Sequence, residues 1–353
     1  MAELQQLIFN PDMMEINEEY LEPLAEELNI KKHRGSENGI GSQLWAKMEE
    51  SPKIKSEISD KLKGYIFAGQ TSVTWYVFYK AKENLVIPDE KMAVCIPLET
   101  EISNTPTFVG MTEIKEGEHL ARFVVRTGFS RRVYGISSST VPKITFVTVL
   151  ISTNNDFIEI RSEPKLASKI LSAIRKKFIP DDDVTIAKVE NFTDTMVEKL
   201  VKELDGKLIE TLSHPERLFE NVDSNKAEAM VLVLEAVNNY FANSDSMALM
   251  TQLNAVGKLF KDQTIPFIAL VLAGMDKISM GMMEGGDLRN QALFNAIKPY
   301  IKYLRGYISF PVVENNITKM YTIRIGLTTN SVYFNSSASE KVIEAVRNKV
   351  LSL

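Results

Sequence analysis

The chain is poor in the side chains from which most active centres are built. It holds one cysteine and three histidines. A lone Cys95 excludes an intrachain disulfide and fits a reducing compartment. Its apolar setting, Met92-Ala-Val-Cys-Ile-Pro97, predicts a buried and inert thiol. His33, His119 and His214 lie far apart in sequence, none at the close helical spacing of zinc signatures, so no metal site is expected. Neither Gly-x-x-x-x-Gly-Lys-Ser/Thr nor a strand followed by Gly-x-Gly-x-x-Gly occurs, which removes the usual basis for an ATPase or dinucleotide enzyme. No cofactor is expected.

Long hydrophobic runs are also missing. The longest, Ile265 to Met275, is too short to span a bilayer. The first residues, with Glu3, Asp12, Glu15, Glu18 and Glu19, lack the basic start and apolar core of a signal peptide. The expected location is therefore the cytoplasm, with no membrane partner. A large excess of positive charge is absent too: the formal net charge is -5. That argues against a surface given over entirely to nucleic acid, while leaving room for a local basic face.

What the chain does have is patterned β-structure. Ile144, Phe146, Val147, Val149 and Ile151 form a β-branched and aromatic run, Asn154-Asn155-Asp156 supplies turn residues, and Phe157 to Arg161 alternates as a returning strand. Pro164 suits a first helical position, and Ala167, Ile170, Leu171, Ile174 and Phe178 form one apolar helical stripe. The last segment follows the same order. Tyr321, Ile323, Ile325 and Leu327 alternate, Thr329-Asn330 turns, Val332 to Phe334 returns, and Val342, Val346 and Val350 line a helix. Ser337 and Glu340 have the spacing of a capping box before it.

The fold expected is α+β: mainly antiparallel sheet units each closed by a helix, with the hairpin-helix unit echoed at the C-terminus, an N-terminal helical part and a helical middle layer. Four parts are read. Residues 1–63 are acidic and helical, and 64–190 are β-rich and closed by a helix. Residues 191–305 form the helical layer, and 306–353 the C-terminal hairpin-helix unit. Within the second part, Tyr65 to Phe67, the pair Gly69-Gln70 and Val73 to Tyr79 read as a hairpin. Met92 to Ile96, Thr107 to Met111, Leu120 to Arg126 and Val133 to Ile136 read as short separate strands. In the helical layer, the methionines on the stripes from Met230 to Met283 read as core filler. Leu288, Phe294, Ile297 and Tyr300 read as a helix that Pro299 kinks or ends; in a winged helix-turn-helix, a minority reading, Asp287 to Lys298 would be the recognition helix.

The local chemistry that stands out is Arg122-Phe-Val-Val-Arg126-Thr-Gly-Phe-Ser-Arg131-Arg132-Val-Tyr134. Guanidinium forks suit phosphate, and aromatic faces suit exposed bases. Arg122 and Arg126 share strand parity, with Arg131 and Arg132 placed in a glycine turn. The helix after Pro164 adds Lys176 and Lys177. The candidate nucleic-acid-binding residues are thus Arg122, Arg126, Arg131, Arg132, Tyr134, Lys176 and Lys177. The plainer alternative gives Phe123 and Val125 to the core and leaves the arginines to solvate the outer face and pair with Glu113, Glu116 and Glu118.

Together these point to a non-enzymatic cytoplasmic protein that binds nucleic acid or assembles with a second copy or another protein, as a component of a larger prokaryotic or viral multi-protein system. Two alternatives stand beside it. One is a metal-dependent nuclease or hydrolase whose carboxylates are gathered by the fold; the other is a self-assembling structural protein that takes no nucleic acid.

Overall fold

The computed structural model of the chain describes residues 3–30, 39–79, 94–134, 137–179, 184–190, 192–215, 224–257, 272, 275–282 and 285–353. The chain divides into two compact units, residues 1–206 with 309–353, and residues 207–308. The fold is α+β, and the strand registers are antiparallel.

The larger unit opens with helices α1 (Asn10–Glu15), α2 (Glu18–Glu27), α3 (Ile40–Glu50) and α4 (Pro52–Leu62). The Asn17 side chain accepts the Glu19 amide ahead of α2. The Ser51 side chain accepts that of Lys53 ahead of α4, where Pro52 fills the first turn. Their apolar stripes, Leu21, Leu24 and Ala25, Leu44 and Met48, Ile58 and Leu62, meet in one core.

The strands are β1 (Ser72–Phe78), β2 (Thr107–Lys115), β3 (Glu118–Tyr134), β4 (Ser137–Ser152), β5 (Phe157–Arg161), β6 (Ile186–Lys188), β7 (Lys207–Pro215), β8 (Ile278–Gly281), β9 (Ile301–Glu314), β10 (Ile317–Gly326) and β11 (Ser331–Phe334). In the larger unit their order is β2-β3-β4-β5-β1-β11-β10-β9, with β6 also paired to β1. Strand alternation divides the side chains between two faces. Ala121, Phe123 and Val125 of β3, Val147, Val149 and Ile151 of β4, and Ile158 and Ile160 of β5 share a core with Ala167, Ile170, Ile174 and Phe178 of α5 (Pro164–Phe178). The residues between them, Leu120, Val124 and Phe146, pack on the other face against the N-terminal segment.

Two further helices of this unit are α6 (Asp194–Glu203) and, at the C-terminus, the helix Glu340–Ser352. The latter lies on the face opposite α5, held there by buried charge. Glu159 of β5, fully buried, accepts hydrogen bonds from Trp75 Nε1 at 2.8 Å, Arg161 Nε at 2.8 Å and Arg347 Nε at 2.6 Å. Arg161 Nη2 donates onward to Glu340 at 2.7 Å and its Nη1 to the Phe67 carbonyl at 2.6 Å. Burial alone would raise the Glu159 pKa, but the charges of Arg347 and Arg161 outweigh it and hold the carboxyl down at about 2.

In the smaller unit β7 lies between β8 and the start of β9, with Thr211 opposite Met280 and Ser213 opposite Ile278. Helices α7 (Ser224–Asn243) and α8 (Ser246–Gly257) pair as a hairpin around Ala229, Val233 and Val256. Asp245 caps α8, accepting the amides of Met247 and Ala248. A short helix, α9 (Ala292–Ile297), sits between the 3-10 turns Leu288–Asn290 and Lys298–Tyr300, so the C-terminal helix is α10.

Several expectations change. No hairpin forms at Tyr65 to Tyr79: residues 63–67 are turns whose Gly64 and Phe67 carbonyls serve the start of α10 and Arg161, and β1 pairs with β5, β6 and β11 instead. The α10 cap is Ser339, which accepts the Val342 amide, because the Gly69–Ala338 bridge keeps the backbone extended past Ser337. Residues Val94 to Ile96 are irregular, Met92 lies outside the described residues, and Cys95 is exposed rather than buried. Leu327 belongs to the turn after β10. The middle of the chain contains strands β7 and β8 as well as helices, since Lys207 to Pro215 alternates buried and less buried positions. Met247 and Met250 are exposed, not core. The helix read over Leu288 to Tyr300 is interrupted and only Ala292 to Ile297 is α-helical, too short for a recognition helix. The His33 loop, the Pro180 to Asp183 turn and most of Ile265 to Met275 lie outside the described residues.

Candidate nucleic-acid interface

The expected strands Leu120 to Arg126 and Val133 to Ile136, with a turn between them, give way to one continuous strand as far as Tyr134, Gly135 and Ile136 lying outside the described residues. β3 runs from Glu118 to Tyr134 and pairs with β4 along its whole length, from Glu118 opposite Ser152 to Tyr134 opposite Ser137. Pairing with β2 stops at Val124, and pairing of β4 with β5 begins only at Thr148. Beyond those points β3 and β4 have only each other as strand partners among the described residues, with a further backbone hydrogen bond from the Arg126 amide to the Ser103 carbonyl. From Arg126 to Tyr134 and back from Ser137 to Thr145 they form a two-stranded arm roughly 30 Å long at ~3.3 Å per residue. Arg131 and Arg132 therefore stand on a strand, not in a turn.

One residue sets the geometry of this arm. Arg126 is opposite Ile144 and Gly128 is opposite Lys143, which leaves Thr127 as the extra residue of a β-bulge. Thr127 Oγ1 donates to the Lys143 carbonyl at 3.2 Å and lies 3.1 Å from Thr145 Oγ1, pinning the bulge. A bulge shifts side-chain parity by one. Arg126 is on the face of Val124 and Phe146. The bulge brings the odd-numbered Phe129, Arg131 and Val133 onto that same face, with Pro142 opposite Phe129. The Arg126 guanidinium lies over the Phe129 ring at 5.1 Å, which only this shared face allows. Phe129 and Val133 are 62% and 66% exposed, and Arg131 is exposed with Nη2 3.3 Å from Ser138 Oγ.

The candidate residues separate into groups. Arg122 is buried at 2% exposure. Its Nη2 donates to Asp12 at 2.6 Å, its Nη1 to Thr148, and its guanidinium lies over Phe67, Phe9 and Phe146 at 5.2, 5.6 and 5.7 Å. Burial pushes the Asp12 carboxyl up, and the Arg122 charge and the Phe9 amide pull it only part of the way back. Arg122 thus ties α1 to the sheet and is withheld from solvent. It does not pair with Glu113, Glu116 or Glu118, the partners of the plainer alternative, although Phe123 and Val125 are core as that reading had them. Arg126 and Arg131 share the arm face just described. Arg132 and Tyr134 are on the arm strand, and their side chains lie outside the described residues. Lys176 and Lys177 end α5, on the other side of the sheet, with Lys177 Nζ 4.8 Å above the Phe108 ring. The structure does not bring these lysines together with Arg126 and Arg131.

Two further residues of the arm are not among the candidates read from the sequence. Lys143 stands exposed on the returning strand, and Phe129 acts with Arg126. The available signal was Gly128 inside a β-pattern, which marks a bulge as readily as a turn. The arm is also uniform in charge. From His119 to Asn155 the sequence contains no aspartate or glutamate, while Arg126, Arg131, Arg132 and Lys143 all fall on the arm. Among the described residues no group of histidine, cysteine, aspartate and glutamate is gathered as a metal centre would need, and no helix is long and apolar enough to cross a membrane. No protein-family model matches the chain, and no curated protein matches it.

Proposed function

We propose that the protein is a non-enzymatic, cytoplasmic nucleic-acid-binding protein and that the β3–β4 arm is its interface. The observation that carries this reading is the arm itself: a two-stranded ribbon freed from the sheet, bearing arginines, a lysine and an exposed phenylalanine, and lacking any carboxylate. Cations on such a ribbon gain affinity for phosphate by displacing condensed counterions, and the missing acids remove the competing partners. A mildly acidic body with one basic projection confines contact to that projection.

The direct test removes the arm. Thr127 and Lys143 are already hydrogen-bonded across the ribbon, so an Asn-Gly turn can replace residues 128–142. Nucleic-acid binding should disappear while the unfolding midpoint stays near that of the intact chain. Undiminished binding by the shortened protein would place the interface elsewhere.

A second reading, assembly with a protein partner or a second copy, is favoured by one separate observation. Phe241 and Met247 on the α7–α8 hairpin are each 79% exposed, and Met250, about one turn on from Met247 in α8, is exposed as well. The nuclease reading has no such support among the described residues. The two hairpin-helix units, β4-β5-α5 and β10-β11-α10, share one order of elements, which supports reading them as an internal repeat.

A further inference from the structure

We infer that Phe129 is a stacking platform for an unpaired base, so that the ligand of the arm is single-stranded nucleic acid. This rests on the reading of the arm as a nucleic-acid interface. The ring is propped, not packed. One side meets the Arg126 guanidinium at 5.1 Å, and the residue stays 62% exposed. Arg126 is itself held in place: its backbone amide donates to the Ser103 carbonyl at 2.8 Å, and its Nε is 3.4 Å from Asn104 Oδ1. Gly128 adds no side chain, and a Cβ built there would meet nothing within 4 Å. Arg126 and Arg131 flank the ring on the same face, so a base stacked on Phe129 has a guanidinium on each side for its phosphates.

Position favours a single strand over a duplex. An apolar wedge that opens stacked base pairs must lead its element into the groove and must offset the cost of unstacking. Phe129 stands near the root of the arm, next to the bulge, rather than at its end. A strand whose bases are already free bears no such cost and has a π-face for the ring at every nucleotide.

The experiment compares three probes of equal length at fixed salt: oligothymidylate, a base-free deoxyribose-phosphate chain, and a duplex. Wild type should bind oligothymidylate about tenfold more tightly than the base-free chain, as expected for one stacked base. Phe129→Leu, which keeps an apolar side chain on the surface, should lose that preference. Phe129→Trp should keep it and show quenched fluorescence on binding. Equal binding of the oligothymidylate and base-free probes by wild type overturns the stacking inference and leaves the arm reading intact. A preference for duplex that Phe129→Leu does not change overturns it as well. If Arg126→Ala/Arg131→Ala binds all three probes as wild type does, the arm reading fails, and the stacking inference with it.

Discussion

Arg122 and Arg126 are four residues apart on one strand and project from one face, yet they serve different ends. Arg122 falls where the N-terminal segment covers the sheet, so its charge is neutralised by Asp12 and its planar face is covered by Phe9, Phe67 and Phe146. Arg126 falls just past that cover. Removing Arg122 leaves Asp12 buried without its guanidinium, a change that costs roughly 3–5 kcal/mol. Arg122→Ala should therefore lower the urea midpoint sharply, whereas Arg131→Ala, on the exposed arm, should leave it within about 0.5 kcal/mol of wild type. Equal effects from both substitutions would contradict the burial of Arg122.

Glu159 supplies a prediction with a defined pH window. Its folded-state pKa, about 2, lies below the ordinary value of 4.5, so its contribution is complete above pH 4.5 and is lost as pH falls towards 2. Glu159→Gln should be much less stable than wild type near neutrality, because Arg161 and Arg347 lose their carboxylate. The gap should then narrow by on the order of 3 kcal/mol between pH 6 and pH 2. Comparing variant with wild type cancels Asp12, whose raised pKa works in the opposite direction. A gap that does not change with pH would mean that Glu159 is not ionised in the folded protein.

At the scale of elements, the helices that close the hairpins are clearest. Ile174 of α5 and Val346 of α10 are fully buried, and truncating either to alanine should cost roughly 2–4 kcal/mol by opening a cavity in a packed core. Gly41 makes a different demand. A Cβ at this position in α3 would come within 2.4 Å of the Met13 carbonyl oxygen, a backbone atom that cannot swing aside. Gly41→Ala should lower the thermal midpoint, despite the better helix propensity of alanine.

These elements were legible because local signals and burial agreed: Pro164 opens α5, and its stripe at helical spacing is the buried face. The bulge at Thr127 was not legible in the same way, because Gly128 fits either a turn or a bulge and only cross-strand register decides between them. The hairpin read at Tyr65 to Tyr79 failed for a related reason. β1 is rich in β-branched and aromatic residues, but its partners, β5, β6 and β11, come from far along the chain. Propensity identifies a strand without naming its neighbours. Cys95 misled because an apolar six-residue neighbourhood does not report burial when the segment runs along the outside of an edge strand, its amide bonded to Val109.

At the scale of the molecule, the distribution of charge matters more than its sum. A formal net charge of -5 coexists with a stretch from His119 to Asn155 that has no acidic residue. The strand pairing gathers most of that stretch's cations onto one ribbon, Arg126 and Arg131 on one face and Lys143 on the other, and an electrostatic contact at that ribbon, on a chain acidic in sum, is the central claim. The measurement that tests it most directly is the salt dependence of nucleic-acid binding for wild type and for Arg126→Ala/Arg131→Ala. Wild-type affinity should fall linearly in log–log form as salt rises. The double variant should bind more weakly with a flatter slope, by about 1.4 on a single strand or about 1.8 on a duplex, as two lost phosphate contacts require. A slope identical to wild type, or wild-type binding that does not respond to salt, would contradict it.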